Sequence, residues 1–198
     1  MVSGTPNVNY LASGLLLPAH LAGHPALELC NTFAGWGEGE VTRDYLASYE
    51  HLVVWAREQG LVGAAAAARL SDVEGEHVLE RARALRAGFY AVVTGTAVAA
   101  DRAVVSHEAE LAAARARLEW EAGAASWELP VTLEQPVLAV AREIAAFLTS
   151  PVRVGRCPGR GCGWLFADPT GRRRWCSMAV CGNRAKARRH AQRLRDGS

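Results

Sequence analysis

The sequence has no long apolar run. Half of its residues are apolar, which is typical of a globular protein, yet no hydrophobic segment reaches the roughly 18–20 residues of a transmembrane helix. Residues 1–9 are small and polar, and they lack the basic start and long apolar stretch of a secretory signal. We therefore expect a cytoplasmic protein with no membrane partner.

The sequence also lacks any motif that indicates catalysis. It contains no nucleophile elbow, no phosphate-binding loop, no HExxH and no convincing pair of carboxylates. An enzyme built on the N-terminal region would have no visible mechanism, so we predict that the protein is not an enzyme. The length of 198 residues predicts one or two domains.

Acidic residues are scarce at the C-terminal end. Residues 153–198 contain 2 acidic residues against 12 lysines and arginines, a net charge of +10, whereas residues 1–152 contain 18 against 10, a net charge of −8. A basic module after an acidic body is the asymmetry expected when one end binds a polyanion. The alternatives are a solvated basic surface and a basic segment that docks on the acidic body.

Four of the five cysteines lie in this basic segment, in two C-x4-C pairs separated by thirteen residues. Two close pairs can supply the four thiolates that Zn²⁺ prefers, and four protein ligands leave no position for a substrate. The spacing therefore predicts one structural Zn²⁺ held by Cys157, Cys162, Cys176 and Cys181. The alternatives are four unrelated buried thiols or two disulfides, and disulfides are typical of oxidising compartments.

These cysteines lie in motifs that resemble the CGNR zinc finger. The tetrapeptide that names this finger stands here as Cys181-Gly182-Asn183-Arg184, and further matching pieces are Cys157-Pro158 and residues 162–166 and 173–178. The preceding chain is similar to the alanine-rich ABATE domain that usually accompanies the finger, through residues 27–32 and Leu85-Arg86. Members are described as candidate stress-induced regulators of transcription, so the resemblance implies a transcription regulator.

Apolar periodicity predicts a mainly α (α+β) fold, with an α-rich domain over residues 1–150 and the finger over 151–198. We expect helices over residues 45–59, 101–118 and 136–148, and a long helix that opens at the capping-box pattern of Ser71. Short strands are expected over residues 15–18 and, as a small hairpin, around Gly123. In the finger, residues 163–167 should pair with 173–175, and a helix over 178–194 should begin at the metal, in a treble-clef-like arrangement.

The basic residues of the finger are predicted to bind nucleic acid. No acidic residue interrupts the predicted C-terminal helix until Asp196, and such a helix suits phosphate groups. The candidate contacts on the hairpin and the helix are Arg172, Arg173, Arg174, Arg184, Lys186, Arg188, Arg189 and Arg193. The aromatic residues Trp164, Phe166 and Trp175 are expected to form the core of the finger around the metal.

Three polar residues of the N-terminal region are candidates for a ligand pocket. Asn31 and Thr32 lie inside an apolar run, and Arg86 lies one helical turn before two aromatic residues. Buried polar groups need hydrogen-bond partners. The alternatives are that Asn31 and Thr32 bind the backbone and that Arg86 forms an ion pair at the edge of the core.

These features predict a transcription regulator that binds duplex DNA. Its N-terminal domain would form a homodimer or sense a small-molecule effector. The alternative is an RNA-binding or protein-interaction module held together by zinc, and exposed aromatic side chains in the finger would favour RNA.

Overall fold

The computed structural model describes residues 8–37, 43–150 and 152–196. Helices dominate these ranges, and the strands form four antiparallel pairs in chain order, which confirms the mainly α prediction. The helices are α1 (Pro25–Asn31), α2 (Tyr49–Glu58), α3 (Ala64–Leu70), α4 (Glu76–Thr94), α5 (Ala99–Arg115), α6 (Gln135–Leu148) and α7 (Asn183–Asp196). The strands are β1 (Asn9–Ala12), β2 (Leu15–Pro18), β3 (Phe33–Ala34), β4 (Arg43–Asp44), β5 (Arg117–Glu121), β6 (Ala124–Glu128), β7 (Val154–Arg156) and β8 (Leu165–Ala167).

The described residues form two compact units. One unit combines the chain up to Tyr45 with the chain from Val152 onward, so that β1–β4 and α1 join the cysteine-containing segment. The other unit contains the residues from Leu46 to Ser150. We call them the finger unit and the helical unit. The division predicted from the sequence, at residue 150, differs from this one because it places residues 1–45 in the N-terminal domain and not with the finger.

The helical unit packs α2–α6 around large apolar side chains. Trp55, Phe89 and Ile144 are completely buried, one from each of three helices. A charged cluster ties these helices together, because Arg81 of α4 donates two hydrogen bonds of 2.9 Å to the buried Glu108 of α5 and also pairs with Glu134 just before α6. None of the helices among the described residues combines the length and the apolar character needed to cross a membrane.

The expected start of the long helix α4 is wrong. Ser71 follows α3 in a helical conformation, and its hydroxyl donates to the carbonyl of Ala67 at 2.9 Å. The helix begins at Glu76, directly after Gly75. The ring of Tyr49 lies against Gly75, where a Cβ atom would approach the ring to 2.6 Å. The helix therefore starts directly after this tertiary contact and not at the capping pattern.

The pairing expected inside the finger is also wrong. β8 pairs with β7, in the register Gly155↔Phe166, and not with residues 173–175. The first cysteine pair lies in the connection between the two strands, and the backbone of Cys157 donates to the carbonyl of Trp164 at 2.8 Å. Asp168 then turns the chain away, because its carboxylate accepts the backbone N–H groups of residues 172 and 173. Those N–H groups are therefore used in a turn and not in a sheet.

Candidate metal centre and nucleic-acid surface

The four finger cysteines converge on one point. Their sulfur atoms all lie within 4.8 Å of one another, and the sulfur of Cys176 is 3.6 Å from those of Cys162 and Cys181. A tetrahedral site with Zn–S bonds of about 2.3 Å requires sulfur atoms about 3.8 Å apart. The donor set and its spacing therefore fit one Zn²⁺, and four thiolates would close its coordination. Of the alternatives for these cysteines, the chance placement of unrelated thiols does not explain this convergence.

The four thiols strongly perturb one another's ionisation. Hydrogen bonds from its neighbours, first of all Cys162, hold the pKa of the Cys157 thiol far below its usual range. Contact with Cys157 raises the pKa of both Cys162 and Cys176. The cluster thus favours the thiolate of Cys157 and that of Cys181, whose pKa falls to about 7, while it opposes the ionisation of Cys162 and Cys176. A bound divalent cation reverses this opposition and allows all four ligands to ionise.

The tetrapeptide at residues 181–184 contains one candidate ligand and forms part of the turn beside it. Cys181 is the candidate ligand, and Gly182 is buried where a Cβ atom would overlap the side chain of Met178. The amide of Asn183 donates to the carbonyl of Ala179 at 3.0 Å, which closes the π-helical turn Met178–Gly182 that precedes α7. Arg184 donates to the sulfur of Cys181 at 3.5 Å. Four thiolates around Zn²⁺ carry excess negative charge, and this guanidinium partly balances it.

The core of the finger is shared with the N-terminal segment of the same unit. Trp164, Phe166, three of the cysteines and Tyr45 form one buried cluster. The indole N–H of Trp164 donates to the carbonyl of Phe33 at 2.9 Å, and the backbone of Ala167 donates to that of Ala22 at 2.7 Å. Trp164 and Phe166 are core residues, as predicted. The finger therefore depends on chain more than a hundred residues away as well as on its metal.

Asn31 makes the most specific of these long-range contacts. Its amide nitrogen donates to the carbonyl of Leu165, and its amide oxygen accepts the N–H of the same residue, both at 2.9 Å. The side chain imitates a neighbouring strand at the edge of β8. Thr32 donates to the carbonyl of Leu29 at 2.6 Å. Both residues bind backbone groups, which is the alternative that the sequence left open.

The third candidate pocket residue, Arg86, is buried on α4 in the helical unit. Asn31 and Thr32 belong to the finger unit, so the three residues are divided between the two units. A ligand-binding role for Asn31, Thr32 and Arg86 stays a prediction.

Glu28 is a buried carboxyl group in α1, with 4% of its surface exposed. One oxygen accepts the backbone N–H groups of Ala22 and Gly23, at 2.6 and 3.2 Å. Burial nevertheless raises the pKa of Glu28 from 4.5 to about 7, because these bonds and the charge of Arg173 offset only part of the desolvation. A carboxyl group whose pKa is raised in the folded state stabilises the fold at low pH, and this contribution is lost as the pH rises from about 4.5 to about 7.

Arg173 differs from the other predicted nucleic-acid contacts. Its guanidinium donates hydrogen bonds to the backbone carbonyl groups of Leu21, Trp175 and Cys176. It also lies over the ring of Phe166, 4.3 Å from the ring centre. These contacts hold the finger to the N-terminal segment, so we assign Arg173 a structural role within the unit.

The other predicted contacts are solvent-exposed. Helix α7 has no buried residue, and its first acidic residue is Asp196. Ser177 caps the turn that leads into this helix, since its hydroxyl accepts the N–H of Val180 at 3.3 Å. The helix therefore begins at the metal-binding turn and extends outward. The exposed basic residues of this surface are Arg172, Arg174, Arg184, Lys186, Arg188, Arg189 and Arg193.

A groove beside the first cysteine pair adds two basic residues that the sequence reasoning missed. Arg156 and Arg160 line it together with Arg188 of α7, and its volume is about 540 Å³. Glycine residues form much of its wall, and none of the described residues that line it is acidic. We call it the knuckle groove. A signal was present in the sequence, since Arg156 directly precedes Cys157 and Arg160 lies between the two cysteines of the first pair.

Comparisons with known proteins agree with this architecture. A family model named ABATE, described as "Putative stress-induced transcription regulator", matches residues 23–151. The model of the CGNR zinc finger matches residues 153–194. None of the curated proteins compared with the chain matches it. The ABATE match spans more than half of the chain and leads directly into the finger, so the chain belongs to the ABATE family and carries a CGNR zinc finger.

Proposed function

We propose that the protein is a cytoplasmic transcription regulator that binds duplex DNA through the exposed basic surface of its zinc finger. The observation that carries the proposal is helix α7, which starts at the metal-binding turn, buries no residue and presents a face without acidic residues up to Asp196. A strongly basic helix that buries no residue gains little from packing, whereas phosphate groups stabilise it.

The knuckle groove extends this surface toward the first cysteine pair. Because Arg188 belongs to both, a phosphate backbone that contacts α7 would also meet Arg160. Backbone contacts of this kind position a protein on DNA, and they release counterions when they form. The family description supports a role in transcription.

The alternative of an RNA-binding module is less well supported. Recognition of single-stranded RNA relies on exposed aromatic side chains that stack on bases. In the finger, Trp164 and Phe166 are buried in the core, and Trp175 is partly buried. The described finger therefore offers charge for a polyanion but no exposed aromatic platform.

The test is a binding titration of the zinc-loaded protein against duplex DNA, hairpin RNA and single strands at two salt concentrations. We expect Arg188→Ala with Arg189→Ala to weaken duplex binding and to reduce the slope of log K against log salt by about 1–2, since each phosphate contact contributes about 0.9. Arg160→Ala alone should reduce the slope by about 1.

A matched control removes two exposed arginines from the helical unit, as Arg69→Ala with Arg102→Ala. This pair changes the net charge equally but should leave the slope as it is in the wild type. Equal effects of the two pairs would mean that overall charge, and not α7, governs binding. Preference for RNA or single strands would favour the alternative function.

A further inference from the structure

The hairpin β5–β6 of the helical unit has one apolar face and one charged face. Leu118 pairs with Trp127 in its register, and Trp120 pairs with Ala125. Since alternate residues of a strand point to the same side, these four side chains share one face. We call it the tryptophan face. The opposite face carries Arg117, Glu119, Glu121, Ser126 and Glu128.

The tryptophan face is exposed to solvent. Trp120 is 71% exposed, Trp127 57% and Leu118 46%, and they are among the most exposed large apolar side chains of the described chain. Strict alternation of apolar and polar residues is the pattern of a strand with one covered face. Adjacent exposed aromatic residues are typical of the centre of a protein interface.

The hairpin is defined by its own turn and by a contact with α6. Its two-residue turn, Ala122-Gly123, has positive φ at both positions, as in a type I′ turn. At its base, Arg142 of α6 donates to the carbonyl of Trp127 at 2.6 Å. The tryptophan face is therefore presented by a defined strand pair.

We propose that the tryptophan face binds the same face of a second copy of the chain and forms a two-fold symmetric dimer. A two-fold interface requires a patch that is complementary to itself, and an uncharged apolar patch meets this condition. Face-to-face contact would leave Glu119, Glu121 and Glu128 on the outer sides of the two hairpins, so no like charges are buried. The same acidic residues would repel a nucleic acid from this hairpin, so a nucleic acid is not the ligand that we propose for it.

The area of the face sets the strength of the dimer. Tryptophan side chains bury about 150–250 Å² each, so the exposed parts of the two tryptophans and Leu118 amount to roughly 300–400 Å² per chain. A standard interface buries about 800 Å² per partner, of which the apolar centre is only part. The face supplies that centre but only about half of the standard area, which is the size of a weak, transient interface. We expect reversible association with a dissociation constant on the order of micromolar.

Sedimentation velocity on the full zinc-loaded chain, over roughly 1–100 µM, tests the proposal at concentrations that bracket such an affinity. The wild type should convert from monomer to dimer over this range. Trp120→Ser with Trp127→Ser should stay monomeric and keep its circular dichroism and zinc content, because exposed side chains contribute little to the monomer fold. A wild type that is monomeric throughout would overturn the proposal.

A control variant carries two substitutions on the same strands but on the opposite face, Glu119→Ser with Glu128→Ser. It should dimerise at least as well as the wild type. Equal loss in both double variants would show that the strands, and not the tryptophan face, form the contact. A shift of tryptophan fluorescence on adding oligonucleotide to a monomeric wild type, lost in Trp120→Ser with Trp127→Ser, would assign the face to nucleic acid instead. The outcome is independent of DNA binding by α7, which the Arg188 and Arg189 variants test separately.

Discussion

Replacement of Asn31 by alanine tests how the finger is stabilised. The variant removes both hydrogen bonds to the backbone of Leu165, and both residues are completely or almost completely buried. The N–H and the carbonyl of Leu165 would then lack these partners in the interior. Each buried group left unsatisfied costs about 1–3 kcal/mol, so we expect the free energy of unfolding of the finger unit to fall by roughly 2–6 kcal/mol.

Urea unfolding of the zinc-loaded protein measures this loss. Zinc release to a chromophoric chelator reports on the finger unit, while circular dichroism at 222 nm is dominated by the helices of both units. We expect the midpoint of zinc release to fall to a lower urea concentration in Asn31→Ala. Separate probes are needed because two compact units need not unfold together.

Asn9→Ala provides a matched control within the same unit. Its amide donates one partly buried hydrogen bond of 3.3 Å, to the hydroxyl of Tyr45. A single neutral bond of this kind contributes about 0.5–1.5 kcal/mol. If Asn31→Ala lost no more stability than Asn9→Ala, the structural role assigned to Asn31 would be refuted. A variant of normal stability that no longer responds to an effector would support the ligand-pocket prediction instead.

Three further predictions follow from single side chains. Cys176→Ser removes a buried candidate ligand, so metal analysis should find the zinc lost, and circular dichroism should show the finger unfolded and the helical unit intact. Full zinc content in the variant would exclude Cys176 as a ligand. Glu28→Gln should remove the loss of stability that the wild type shows between about pH 4.5 and 7, which the raised pKa of Glu28 puts at about 3 kcal/mol. A variant whose urea unfolding has the same pH profile as the wild type would contradict this prediction. Ala122→Asn should stabilise the hairpin turn by about 1 kcal/mol, because asparagine adopts positive φ more readily than alanine; a lower melting temperature would argue against it.

If the proposed dimer and the proposed DNA binding both hold, each dimer carries two basic helices. One short finger rarely supplies enough specificity by itself, and two linked fingers would contact two half-sites. Dimerisation through the tryptophan face should then make duplex binding depend on protein concentration. The double variant Trp120→Ser with Trp127→Ser would bind DNA more weakly at equal salt, without any change to α7.

The zinc centre shows how much local sequence can determine. The two cysteine pairs, the tetrapeptide at 181–184 and the helix after it are contiguous patterns, and the structure confirms the convergence of the cysteines and the helix that starts beside them. The hairpin around Gly123 and helix α6 were predictable for the same reason, since alternation and periodicity are properties of neighbouring residues.

Other features depended on contacts that no local pattern contains. β8 pairs with β7 while the residues after Asp168 form a turn, and α4 starts beside the contact between Gly75 and the ring of Tyr49. The structural role of Arg173 depends on the carbonyl of Leu21, far away in the sequence. A basic residue in a basic segment gives no sign of whether its side chain faces solvent or binds a distant backbone.

The sequence by itself therefore determined the metal, its ligands, the charge of the finger and most of the helices, because short-range spacing encodes each of them. Only the tertiary structure decided that Asn31 binds β8, that Arg173 leaves the exposed basic surface, that Arg156 and Arg160 share a groove with Arg188, and that the tryptophan face lies open to solvent. These properties arise when distant segments meet, and burial and hydrogen bonding are then settled by the partners that folding brings together.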